Sequence, residues 1–62
     1  MEKVKMTMNS PKYGFKKGDE FPVLRTIMGN CVIIMGENTP NIVMTEEKIT
    51  RYGELSGTPE LG

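Results

Sequence analysis

The chain reads as an all-β protein, and three observations carry that reading. Seven Gly and four Pro cut it into short pieces, as a sheet of short strands joined by turns requires. Alanine, the best helix former, is absent. The opening segment, residues 2–8, alternates at period two: Val4, Met6 and Met8 face one way, Lys3, Lys5 and Thr7 the other. That is the pattern of a half-buried strand.

The remaining elements follow in order. Asn9-Ser10-Pro11 ends the first strand with turn chemistry. Residues 12–19 form an irregular segment in which Lys16-Lys17-Gly18-Asp19 is a tight turn, Gly18 supplying positive φ. A second strand runs from Glu20 to Ile27. Pro22 inside it cannot donate to a ladder, so the strand must be unpaired or bulged on that side. Met28-Gly29-Asn30 is a hairpin turn. Cys31 to Met35 is the most apolar strand, and a polar loop, residues 36–41, leads to a short strand over 42–44. Residues 45–49 form one helical turn, with Thr45 as N-cap and Glu46 and Glu47 at the positive end of its dipole. Thr50-Arg51-Tyr52 is read as a last short strand. From residue 54 to 62 there is no apolar periodicity, which predicts a flexible tail after a domain spanning residues 1–53.

Composition bounds what such a chain can be. Sixty-two residues build one small domain. Most of the six Met serve as core filler. One Cys cannot make an internal disulfide. A free thiol, no apolar stretch long enough to span a bilayer and no export-type leader point to the cytoplasm. Net charge is zero but unevenly placed. Residues 1–17 hold five Lys and one Glu, a balance of +4, and residues 18–62 hold three cations and seven acids, a balance of −4.

The sequence offers little for catalysis. It has no His. Cys31 opens an apolar strand with no His or Lys beside it to activate the thiol. Asp19-Glu20 and Glu46-Glu47 are sequence neighbours whose side chains diverge, so neither spacing makes an acid–base pair. A metal site lacks ligands, and the dispersed glycines form no phosphate cradle. The expectation is a non-enzymatic protein with no cofactor and no metal.

The order of these parts resembles a Src-homology-three-like small β-barrel over about residues 3–52. It has a strand, a long irregular loop, and Phe15-Lys16-Lys17-Gly18-Asp19 opening the second strand. Two hairpin strands and a helical turn before a final apolar residue complete the plan. The resemblance implies a five-stranded barrel with Phe15, Phe21, Val23, Met44 and Ile49 in its core. It does not bring that family's polyproline groove. Trp is absent, Thr45 stands where the family has Pro, and Lys48 stands where it has Tyr.

Two surfaces remain as candidates. Cys31 to Met35 is apolar on both sides, and a small barrel buries one side only. Val32 and Ile34, joined by Val43, are therefore the candidate protein interface. Lys3, Lys5, Lys12, Lys16 and Lys17, interleaved with Tyr13 and Phe15, form a candidate basic face for nucleic acid, a reading opposed by the neutral charge and a pI of about 6.2. The expected function is a small protein-binding module whose partner is another protein or a second copy of itself. Its size suits a bacterial or phage-encoded accessory protein or inhibitor acting on a host protein. The alternatives are a nucleic-acid-binding barrel and a structural subunit of a larger assembly.

Overall fold

In the computed structural model, which describes residues 1–61, the chain folds as five antiparallel strands and one short helix. The strands are β1 (Glu2–Met6), β2 (Glu20–Arg25), β3 (Asn30–Ile33), β4 (Ile42–Thr45) and β5 (Gly53–Gly57). The helix, α1 (Glu46–Tyr52), joins β4 to β5. The sheet order is β4-β3-β2-β1-β5. No ladder joins β4 to β5 among the described residues, so the sheet is open rather than the closed barrel the sequence predicts. The helix packs against both edge strands and β3.

The alternation in β1 does what period two requires. Val4 and Met6 are buried, and Lys3 and Lys5 point to water. The strand stops at Met6, and Met8 is exposed. Val4 and Met6 join Phe15, Val23, Cys31, Ile33, Met44 and Ile49 in one core, each burial contributing roughly 1.5–3 kcal/mol. Phe21 is half-buried and packs against this cluster.

Pro22 sits where its missing N–H costs least. It lies opposite Lys3 in the β1–β2 ladder, and its carbonyl accepts from the Ile34 N–H at 3.0 Å. A residue's N–H and C=O point to the same neighbour in an antiparallel strand. The absent donor therefore faces β3, whose ladder with β2 ends one residue earlier, at the Val23–Ile33 pair. The second strand ends at Arg25, two residues short of expectation, because Thr26 closes the hairpin. Thr26 Oγ1 accepts from the Asn30 N–H at 3.1 Å, and Gly29 takes φ +86°.

The C-terminal part corrects the sequence reading. Residues 50–52 complete α1 instead of forming a strand; the Thr45 side chain caps its start by accepting from the Lys48 N–H at 3.1 Å. The last strand is β5, which begins at Gly53 and runs through residues 54–57 of the segment expected to be a flexible tail. Gly53 makes this possible. A Cβ there would come within 2.6 Å of the Lys5 carbonyl oxygen, so only glycine lets the chain leave the helix pressed against β1. Leu55 then lies opposite Val4 and packs on the core. At Gly57, φ +88° turns the chain past Met1. The following residues reach β2, where the Arg25 N–H donates to the Glu60 carbonyl at 2.7 Å. Gly62, the last residue of the expected tail, lies outside the described residues.

Candidate functional site

The β-ladders sort the side chains of the sheet's outer face into rows. Leu24 on β2 stands opposite Val32 on β3, and Val32 stands opposite Val43 on β4. Cross-strand partners share a face, so the three form a continuous aliphatic row across half the sheet. Cys31 and Ile33, of opposite parity, are fully buried. Val32 and Ile34 are half-buried, and Val43 is 60% exposed. The structure thus brings Val32 and Val43 into direct register. Ile34 follows the end of β3, beside Pro22. Leu24 was missed in the sequence because β2 carries no clean alternation around Pro22. Ile27 and Met28 were also missed. They form the tip of the β2–β3 hairpin and are 89% and 84% exposed. The sequence reading had placed Ile27 at the end of a strand.

The five lysines of the candidate basic face are carried by β1 (Lys3 and Lys5), by the turn bearing Tyr13 (Lys12) and by the turn before β2 (Lys16 and Lys17). Lys3 and Lys5 occupy the outer face of β1 among acids. Lys3 Nζ is 3.7 Å from Glu20 Oε1, and Lys5 stands between Glu20 and Glu54 in register. Lys16 and Lys17 lie in the turn before β2, where their backbone N–H groups donate to Asp19 and Asn9. Lys12 Nζ lies 5.4 Å from the centroid of the Tyr13 ring.

Tyr13 is the centre of a small aromatic assembly. The turn closed by the Ser10–Phe15 bridge sends Phe15 into the core and leaves Tyr13 half-buried above it. The two rings are stacked at 6.1 Å, and Tyr52 meets each edge-on at 5.6 Å, a favoured aromatic geometry. Lys48 Nζ donates to Tyr13 Oη at 2.8 Å and also lies 5.4 Å from the ring centroid. This hydrogen bond lowers the phenol's pKa and raises that of the ammonium; the ring's π system attracts Lys12, while Lys48 is held by the hydroxyl.

Cys31 is buried among apolar neighbours, and that burial raises its thiol pKa, which leaves it a poor nucleophile. The Glu2 and Glu46 carboxylates are both engaged by the Arg25 guanidinium. Among the described residues no three metal-ligating side chains converge, and no helix is long and apolar enough to cross a membrane. Comparison with protein-family models, curated proteins and solved structures finds no match to this chain.

Proposed function

We propose that this chain is a non-catalytic protein-binding module that docks through the outer face of β2, β3 and β4. The observation that carries the reading is the aliphatic row Leu24–Val32–Val43 on the sheet's outer face, half-buried at Leu24 and Val32 and 60% exposed at Val43. Continuous exposed aliphatics lower their free energy by being covered. The polar half of the same face, with Lys3, Lys5, Glu20 and Glu54 interleaved, supplies the charged rim that surrounds such a contact.

The long loop after β1, the β2–β3–β4 meander and the helix before β5 support a Src-homology-three-like layout for this module. A small binding domain with a buried free thiol suits an accessory protein or inhibitor of the bacterial or phage cytoplasm that acts by covering a host protein's surface.

The nucleic-acid reading keeps one observation in its favour, the Tyr13 ring flanked by Lys12 and Lys48. Affinity capture with the whole chain, with and without nuclease and beside Val43→Lys, separates the two. Nuclease-resistant capture that Val43→Lys abolishes is the expected result. Capture that nuclease removes and Val43→Lys leaves intact overturns the proposal in favour of nucleic acid.

A further inference from the structure

A cleft of about 400 Å³ opens between the turn bearing Tyr13 and the run that leads into β4. Lys12 and Tyr13 form one wall, and Pro40, Ile42 and Val43 contribute to the other. Ile42 and Val43 are consecutive strand residues, so their side chains point to opposite faces of the sheet. A cleft that touches both runs along the margin of β4 rather than over either face. That margin is an edge of the sheet, because β4 pairs with β3 alone. Backbone groups on its other side are open to a further extended segment.

The charge around this cleft is unmatched. Lys3 is paired with Glu20, Arg25 with Glu2 and Glu46, and Arg51 with Glu47. Lys12, in the lining of the cleft, and Lys48, outside it on the Tyr13 hydroxyl, have no carboxylate within 4 Å among the described residues, as is also true of Lys5, Lys16 and Lys17. Two ammonium groups without counter-charge, an apolar wall and an open strand edge together describe a complementary ligand. We infer that the cleft takes an extended acidic peptide segment, with apolar side chains against Pro40 and Val43 and a carboxylate drawn to Lys12 and Lys48. The inference rests on the protein-binding reading above and names the chemistry of the partner. A nucleic acid fits less well, because the open edge of β4 offers alternating backbone donors and acceptors, which match an extended peptide and not a chain of phosphates.

The test is selection of short random peptides on the immobilised whole chain, followed by titration of labelled synthetic copies of those enriched. Enriched peptides are expected to carry Asp or Glu beside apolar residues. Their affinity should fall about tenfold or more in Lys12→Glu and weaken with salt, while Lys17→Glu, at an exposed lysine outside the cleft lining, leaves it unchanged. Lys12 is exposed, so the charge reversal is compatible with folding; Lys12→Gln, expected to give a smaller loss, guards against a misfolded variant. Enrichment of neutral or basic peptides, no enrichment over an empty support, or acidic peptides indifferent to Lys12→Glu overturns the inference. Val32 does not line the cleft. If non-acidic peptides are enriched and Val32→Lys abolishes their binding, the acidic segment is refuted while the docking face survives. Displacement of acidic peptides by an oligothymidylate that binds more tightly assigns the cleft to nucleic acid. Self-association lost in Lys12→Glu assigns it to a second copy of the chain. Either result overturns the inference.

Discussion

Arg25 grips Glu2 with two parallel hydrogen bonds, Nε to Oε1 and Nη2 to Oε2, each 2.8 Å long. The Glu2 side chain is only 5% exposed, so its charge depends on this fork. Glu46 takes the third arm of the guanidinium from the start of α1. One arginine thus ties β1, β2 and the helix. Arg25→Met is expected to cost about 2 kcal/mol, less than a fully buried pair because the guanidinium keeps some contact with water. Urea unfolding measures it; an unchanged midpoint would refute the role.

The same pair sets the acid limit of stability. Arg25 holds the Glu2 carboxyl below its ordinary pKa of 4.5. Between the depressed and ordinary values the unfolded chain binds more protons than the folded one, so stability rises with pH there. The contribution is complete above the ordinary value and is lost as pH falls through the folded one. Cys31 acts at the other end. Burial raises its thiol above the ordinary 9.0, so stability declines as pH rises past that value and the unfolded thiol ionises first. Urea midpoints across pH should show both arms, with Glu2→Gln flattening the acid arm and Cys31→Val reducing the alkaline one.

Lysine substitutions along β3 should split by parity. Ile33→Lys places an unpaired charge in the core and should unfold the domain. Val32→Lys and Val43→Lys lie on the outer face and should leave the circular dichroism spectrum unchanged. Unfolding by both sets would mean that the aliphatic row is needed inside the monomer.

The β1–β5 ladder depends on Gly53. Gly53→Ala drives a methyl into the Lys5 carbonyl and should cost about 1–3 kcal/mol, as overpacking usually does. Truncation before Glu54 should be more damaging, since it removes Leu55 from above Val4 and opens one side of β1. Thermal melts compare the two. A truncated chain as stable as the intact one would show that β5 adds nothing.

Strand β1, the apolar strand, the glycine turns and the N-cap at Thr45 were legible in the sequence because each is a local pattern. Alternation, β-branched residues and capping chemistry act within a few positions. Strand β5 was not legible. Its reason to exist is a non-local fit, Gly53 against the backbone of Lys5 and Leu55 over Val4, and one Leu between glycines has no periodicity to read. The lysines illustrate the same limit. Between residues 3 and 17 they are divided among β1 and two following turns, and the sequence does not give the partners each one meets there, such as Glu20 for Lys3 and the Tyr13 ring for Lys12. Lys48 joins Lys12 only through Tyr13, which no sequence spacing reveals.

Strand β1 lies between β2 and β5, so one of its two neighbours comes from the far end of the chain. The β2–β3–β4 meander closes short loops and forms early at small entropic cost. The β1–β5 ladder encloses nearly everything else and must wait. During synthesis β1 emerges before β5 and is left with one bare edge until residues 53–57 clear the exit tunnel. The alternating lysines of its outer face then act as a temporary guard, discouraging two nascent copies from pairing through that edge.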